Sequence, residues 1–245
     1  MTSTPVESRK HRVITAISWI AGGLLLLAAS LAEASPGPEL RGDGDNPADS
    51  LRYLATAGRA YLWSGALLGV GGAALITGAV GRLRARGGHP ASMLTHVALV
   101  LTVVAGTLVI GAGAIRMQAT GTVLHIESLD PAWGEAAYLA VQMAGTQGML
   151  SAGVFTMLVV TIALSIAEWR SGMRAPLFVA ALPAIALIVL LTDLFVPGFD
   201  SVMPEFLFPV YVVSALLGIP LWCAAYGVSQ LVAGRAASRR GVLAR

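Results

Sequence analysis

The chain has 245 residues, of which 56% are hydrophobic and 12% are charged, and its formal net charge at pH 7 is +3. Because a soluble domain carries about 25% charged residues, this composition excludes an ordinary water-soluble domain. The single cysteine, Cys223, excludes an intramolecular disulfide, a four-thiolate metal site and a dithiol redox couple within the chain.

Six apolar stretches dominate the sequence, and each is long enough to cross the hydrocarbon core of a bilayer as a helix. Lipid offers no partner for an unpaired backbone amide, and the stretches lack the alternation of a strand, so we expect helices. The sequence therefore predicts an all-α transmembrane bundle with six spans, tails at residues 1–12 and 235–245, and an outer loop at 33–59. The predicted spans are residues 13–32, 60–80, 94–115, 136–167, 176–195 and 206–232.

The distribution of Lys and Arg predicts the orientation of these spans, because basic residues are retained on the cytoplasmic side. With the N-terminus inside, twelve basic residues fall on the inner side, and only Arg41, Arg52, Arg59 and Arg116 fall outside. One lysine against fifteen arginines suggests a GC-rich bacterial genome. We therefore expect a multi-pass protein of the bacterial cytoplasmic membrane with both termini in the cytoplasm. The inner basic residues are Arg9, Lys10, Arg12, Arg82, Arg84, Arg86, Arg170, Arg174, Arg235, Arg239, Arg240 and Arg245.

The first span has an alternative interpretation as a secretory signal, because a basic segment precedes it and the A-x-A sequence Ala32-Glu33-Ala34 follows it. Its apolar run from Val13 to Leu31 has nineteen residues, whereas the core of a signal has about 7 to 15. We therefore expect an uncleaved first helix. Cleavage would give a mature start at Ser35 and leave five spans.

Small residues at intervals of four mark one face of the second span, at Gly65, Gly69, Ala73 and Thr77. Such residues let two helix backbones approach closely, so that dispersion and weak interhelical hydrogen bonds hold the helices together. We expect this helix to lie centrally and to pack within the chain, with a homodimer contact as the alternative.

Prolines interrupt the last two spans at Pro183, Pro209 and Pro220. Each removes a backbone donor and bends its helix, and Pro209 and Pro220 together are expected to frame a cavity. Kinks occur in passive bundles as well as in moving ones, so they favour a transport function only slightly.

Ionisable residues near the apolar depth are few and therefore informative. Arg116 closes the outer end of the third span, and Asp193 lies near the outer end of the fifth. Either charge alone near hydrocarbon would cost several kcal/mol. We therefore predict that Arg116 and Asp193 form an ion pair.

The fourth span begins with the most polar helical face in the sequence. Gln142, Thr146 and Met149 fall at i, i+4 and i+7, and glutamine at this depth needs a partner, so this face is expected to point into the bundle. Structural contacts between helices explain it as well as ligand contacts do. If a ligand site exists, we expect an outward-facing pocket formed by Gln142, Thr146, Arg116, Asp193, Glu135, His125 and Glu205.

Motifs for known chemistry are missing from the sequence. A membrane b-type haem needs two axial ligands, normally histidines at matching depth, and His96 is the one histidine within a predicted span. The sequence also has no phosphate loop, zinc signature or dinucleotide fingerprint. We therefore expect no cofactor, no metal and no catalytic residue.

In layout the chain resembles the uncharacterised six-span families of bacterial membrane proteins that are grouped as domains of unknown function. The features that carry the resemblance are the long acidic loop after the first span, the polar face from Gln142 to Met149, and the turn at residues 168–176. The resemblance covers most of the chain and implies no activity and no site residues.

The sequence favours a non-enzymatic integral membrane protein that acts as an accessory or scaffold bundle. Its expected partners are the lipid bilayer and another membrane protein, and nucleic acid is not expected, because cytoplasmic loops explain the basic balance. A transporter or channel for a small solute is the second interpretation, followed by a membrane enzyme or a protein that binds a lipid or a quinone.

Overall fold

The computed structural model describes residues 5–35, 47–85, 93–169, 175–195 and 207–243. These residues form helices and contain no β-strand, which confirms the predicted helical fold for this part of the chain. The elements are α1 (Pro5–Ala34), α2 (Pro47–Ala85), α3 (Met93–Leu129), α4 (Pro131–Val141), a π-helix (Gln142–Leu150), α5 (Ser151–Trp169), α6 (Ala175–Val179), α7 (Ala181–Phe195) and α8 (Leu207–Leu243).

Five helical segments are long and apolar enough to cross a membrane, and a shorter apolar helix covers Pro176–Thr192. Large apolar side chains also line the outside of the bundle, such as Leu24 at 55% exposure and Ile188 at 64%. Soluble proteins rarely expose apolar surface on this scale. These are the properties of a multi-pass membrane protein. The long segments are Lys10–Glu33, Leu51–Arg84, Met93–Leu129, Pro131–Trp169 and Val210–Ala233.

The helices pack in a ring rather than in a simple row. The central α2 packs against α1 and α3, α1 packs against α8, α8 against α6 and α7, and α5 contacts both α3 and α7. The first and last long helices are therefore neighbours. Trp19, Trp222 and Cys223 lie fully buried in the main core and act there as packing residues.

The region predicted as the outer loop, residues 33–59, differs in the structure, because α1 ends at Ala34 and α2 already begins at Pro47. Proline is favoured at the first position of a helix, where its missing N–H costs nothing. Leu51 and Leu54 then share one face of α2 and are buried in a small second core with Val123 of α3. In the sequence, the turn-forming residues beside this segment obscured the helical spacing of the two leucines.

The third helix is also much longer than the predicted span. It continues to Leu129, so that its 37 residues reach about 55 Å, compared with about 30 Å for a hydrocarbon core. The additional turns of α3, the start of α2 and α4 form the second core together. A helix break at Ala57 (φ −112°, ψ 16°) separates the start of α2 from its main part.

Two prolines interrupt the helices as the sequence predicted. The fifth predicted span is divided at Ala180, three residues before Pro183, and Pro220 lies inside α8. In each case the missing N–H and the ring disturb the bond to the carbonyl four residues earlier. Pro209 lies in the first turn of α8, where proline is tolerated.

Glycines set the distance between α2 and α3. A Cβ atom built on Gly65 would lie 2.7 Å from the carbonyl oxygen of Gly113, and one built on Gly72 would lie 2.6 Å from that of Gly106. The expected role of Gly65 in helix packing therefore agrees with the structure. The contact face repeats after seven residues because two helical turns nearly restore the direction of a side chain.

The other two members of the predicted face differ from Gly65, although the backbone N of Gly69 still lies 2.9 Å from a Cβ atom built on Gly113 of α3. A Cβ built on Gly69 would have no neighbour within 4 Å, and Ala73 is exposed. Each step of four residues rotates the side-chain direction by about 40°, so the face that begins at Gly65 turns away from α3. The sequence pattern identified the correct helix, but the closest contacts with α3 recur after seven residues rather than after four.

We expect Gly72→Ala to destabilise the bundle by about 1 to 3 kcal/mol, because the added methyl group meets a backbone carbonyl that cannot move without separating the helices. Gly69→Ala is the matched control, since the same methyl group enters open space. The free energy of unfolding, measured by titration of mixed micelles with dodecyl sulfate, checks the difference. Equal stability of the two variants would contradict the proposed contact.

Candidate functional site

One end of the bundle carries a buried arginine. Arg116 of α3 is 2% exposed, and its Nη1 donates to Glu33 Oε2 at 2.5 Å and to Ser64 Oγ at 3.0 Å. Its guanidinium carbon also lies 5.2 Å from the centre of the Tyr61 ring, a distance at which a cation is attracted to an aromatic face. We call Glu33, Tyr61, Ser64 and Arg116 the Arg116 cluster. It ties the end of α1 and the second half of α3 to α2.

A cavity of about 490 Å³ begins at this cluster. Its polar lining consists of Ser30, Glu33, Ser64 and Arg116, and its other described lining residues are apolar or glycine. They come from α1, α2, α3, α5, α8 and the last residue of the π-helix, and include Leu26, Met157, Ile219 and Pro220. We call this space the Arg116 cavity. It has one polar end and otherwise apolar walls.

The cavity exists because small residues face each other where the helices diverge. Helix α1 packs against α2 and α8 rather than against α5, and Ala29 and Ala215 line the gap between these elements. Pro220, which lies inside α8, also lines the cavity, while the side chain of Pro209 lies outside the described part of the chain. The volume lies within the range of about 300 to 1,000 Å³ that is usual for small-molecule sites.

A second polar cluster lies at the opposite end of the bundle. Glu168 of α5 is fully buried and accepts hydrogen bonds from Arg82 Nη2 at 2.8 Å and from Tyr226 Oη at 3.1 Å. Nearby, Trp222 Nε1 donates to Ser165 Oγ at 2.7 Å. We call these five residues the Glu168 cluster. It connects α2, α5 and α8 through charge and hydrogen bonds.

Aromatic rings complete the contact between the first and last long helices. Trp222 and Tyr226 are stacked with ring centres 4.9 Å apart, and Trp19 of α1 meets them edge-on at 5.9 Å and 5.0 Å. Both geometries are favourable for aromatic pairs. The Glu168 cluster thus packs against aromatic rings, and its role is to hold the helices together.

The pocket predicted from sequence is assembled differently in the structure. Arg116 lines the cavity, whereas Gln142, Glu135 and His125 are described and do not line it. The side chains of Thr146 and Asp193, and the whole of Glu205, lie outside the described part of the chain. The predicted pair of Arg116 with Asp193 therefore stays a prediction, while the structure gives Arg116 the acidic partner Glu33.

The predicted inward face of the fourth span differs because its first part is a π-helix. In a π-helix each N–H bonds to the carbonyl five residues earlier, so residues at i, i+4 and i+7 no longer share one face. Gly145 faces inward against Ile115 of α3, Gln142 is half-buried, and Met149 is 38% exposed. The polar run interrupts the regular helix instead of forming one polar stripe.

Sequence reasoning missed the two buried carboxylates. Glu33 was assigned to the loop, although Leu26, Ser30 and Glu33 fall at i, i+4 and i+7 and share the cavity face of α1. Glu168 appeared only as the first residue of the turn at residues 168–176. In this case the signal was the polar series Thr161, Ser165 and Glu168 along one face of α5, all of which is buried.

No protein-family model, no curated protein and no solved structure matches this chain. The resemblance in layout to the six-span families of unknown function therefore stays a prediction.

We expect Glu168→Gln to destabilise the protein by about 3 kcal/mol, because it leaves the mostly buried guanidinium of Arg82 without its counter-charge. Arg82→Gln in the same chain should recover part of this loss, since it removes the uncompensated charge. Arg84→Gln is the matched control on an exposed position of α2. A double-mutant cycle of unfolding free energies in micelles checks the coupling, and additive effects of the two changes would contradict it.

Proposed function

We propose that this chain is a non-enzymatic integral membrane protein of the bacterial cytoplasmic membrane whose bundle binds a small amphipathic molecule in the Arg116 cavity. In this proposal the chain crosses the membrane six times with both termini in the cytoplasm. One observation carries it, namely a cavity of about 490 Å³ with apolar walls and a single polar end. A molecule with a hydrocarbon body and a polar head fits such a space.

The bilayer is the source of such a molecule. Small-molecule sites are mostly apolar and use a few polar groups to fix the orientation of the ligand. The Arg116 cluster supplies these groups at one end, and side chains such as Leu26, Val109 and Met157 supply the apolar walls. Binding of a lipid-like molecule also agrees with an accessory role beside another membrane protein, since the ligand would be held for delivery or for stability.

The cavity chemistry favours binding over catalysis. No histidine or cysteine occurs among the described residues that line it, and its one carboxylate, Glu33, is bound to Arg116. The hydroxyl of Ser30 donates to the carbonyl of Leu26 at 3.2 Å. A nucleophilic serine needs an adjacent general base, and neither Ser30 nor Ser64 has a histidine beside it in this lining.

The positions of the charges support the proposed orientation. Arg82 and Arg84 lie at the end of the bundle opposite Arg116, together with the basic N-terminal segment that includes Lys10 and Arg12. Basic residues of this kind are retained in the cytoplasm. The Arg116 cluster and the polar end of the cavity would then lie near the outer surface of the membrane.

A transporter for a small solute is the second candidate, and the π-helix favours it. Irregular helices in membranes are tolerated where they are buried in protein or line a cavity, and many carriers bind their substrates at broken helices. Leu150, the last residue of the π-helix, borders the cavity, as does Pro220. The two candidates differ at Gln142, because Gln142→Leu should abolish transport but leave binding in the cavity unchanged.

We expect an amphipathic molecule to co-purify with the protein and to be lost when the cavity is filled. Ala215→Leu places a larger apolar side chain in the lining and should reduce the bound molecule to background. Ala73→Leu, the same change on an exposed face of α2, is the matched control. Mass spectrometry of organic extracts from the purified proteins checks this. Equal content in all three proteins would contradict the proposed binding function.

We expect a membrane-impermeant maleimide to label Ser128→Cys in intact cells but to label Arg84→Cys only after lysis. Both positions are exposed, and the proposed orientation places them on opposite sides of the membrane. The natural Cys223 is fully buried and provides a low background. Labelling of Arg84→Cys from outside would overturn the orientation without affecting the cavity.

A further inference from the structure

We infer that the molecule held in the Arg116 cavity has an uncharged hydroxyl head, as in a long-chain or isoprenoid alcohol, which donates a hydrogen bond to Glu33 or Ser30. This inference rests on the proposed binding function and specifies its ligand class. Three observations carry it: the charge balance of the lining, the engagement of the guanidinium, and the direction of the hydrogen bonds at the polar end.

The charge balance excludes a charged head. The described lining residues contain one cation, Arg116, and one anion, Glu33, and these two are bonded to each other. The lining is therefore electrically neutral. A carboxylate, phosphate or ammonium head would enter an apolar space without a counter-charge, and burying an unpaired charge is strongly unfavourable.

The Nη1 atom of the guanidinium is engaged by protein groups. Arg116 is 2% exposed, its Nη1 is shared by Glu33 and Ser64, and the Tyr61 ring lies beside its guanidinium carbon. In sites built for anions, the planar fork of arginine faces the ligand and bonds with two nitrogens. This arrangement belongs to a structural pair.

On the α1 side of the polar end, Glu33 and Ser30 can accept hydrogen bonds from a ligand. A carboxylate accepts only, and the Glu33 side chain is 33% exposed, so a donor in the cavity can reach it. Ser30 uses its proton for the carbonyl of Leu26, and its oxygen can still accept. A head that donates a hydrogen bond can therefore be bound on this side.

The α2 side supplies the complementary group. Ser64 Oγ accepts from Arg116, and its own proton can be donated to an oxygen in the cavity. A ligand hydroxyl can donate to Glu33 or Ser30 and accept from Ser64 at the same time. A ketone, ester or ether oxygen can only accept, so it can bond with Ser64 but adds no hydrogen bond to Glu33 or Ser30.

The test uses the full-length protein in lipid nanodiscs and four probes with similar hydrocarbon bodies. The probes are 1-dodecanol, 1-methoxyundecane, dodecanoate and dodecyltrimethylammonium. The ether has the same number of heavy atoms as the alcohol but no donor. Dissociation constants are obtained from the shift of the thermal unfolding midpoint with probe concentration, relative to Ala215→Leu, which corrects for dissolution of the probe in the lipid.

We expect 1-dodecanol to bind about tenfold more tightly than 1-methoxyundecane, because a hydrogen bond to a charged group contributes at least that factor, and the two ions to bind more weakly still. Ser30→Ala should weaken 1-dodecanol about threefold or more and leave the ether unchanged. This change keeps the ion pair of Arg116 intact, so its result does not depend on the stability of the cluster. Farnesol distinguishes a branched isoprenoid body from a linear one, and tighter binding of either alcohol than of the ether supports the inference.

Glu33→Gln provides an independent test, because the affinities of dodecanoate and 1-dodecanol should change in opposite directions. It leaves the cavity with the net positive charge of Arg116, so dodecanoate should gain affinity while 1-dodecanol loses it. If this variant does not fold, the Ser30→Ala comparison decides alone.

Equal binding of alcohol and ether, or tightest binding of an ion by the natural protein, would overturn the hydroxyl assignment and leave the binding function standing. If no probe distinguishes the natural protein from Ala215→Leu, the binding function itself fails.

Discussion

The buried charge of Arg116 constrains the rest of the bundle more than any other single group. A guanidinium that is 2% exposed is tolerated only with a counter-charge and hydrogen-bond partners, and Glu33 and Ser64 supply them. The end of α1 must therefore lie beside α3, with α2 near enough to contribute Ser64. The same arrangement gives the cavity its polar end and its electrical neutrality. Fold and candidate site thus depend on one ion pair.

Close packing and open space alternate along the helices according to the size of the residues. Glycines bring α2 within backbone contact of α3, and Gly23 and Gly227 do the same between α1 and α8. Where Ala29 and Ala215 face the same space, the helices are held apart by their other contacts and a cavity remains. Attraction between helices in lipid comes mainly from packing. The close contacts on either side of the cavity therefore have to hold the surrounding helices in place.

The sequence was sufficient for the class of fold, because long apolar stretches separated by polar segments are visible in the order of the residues, although the full lengths of α2 and α3 were not. The expected close contact at Gly65 agrees with the structure, and Pro220 lines the cavity. Three-dimensional partners were harder to predict. Glu33 was hidden in a turn-rich region, and the π-helix changed the residues that share a face in the fourth span. Both depend on contacts between distant segments, which periodicity along one helix does not report.

The aromatic contact between α1 and α8 sets an order for the biosynthesis of the protein. Trp19 finds Trp222 and Tyr226 only after the last long helix has been made, about 200 residues later, which takes a ribosome about 10 to 40 s. Before that, only the side of the Trp19 ring that packs against Gly78 of α2 can be covered within the chain. The contact between α1 and α8 therefore forms after the contact between α1 and α2, and the side of the first helix that faces α8 is the last to be buried.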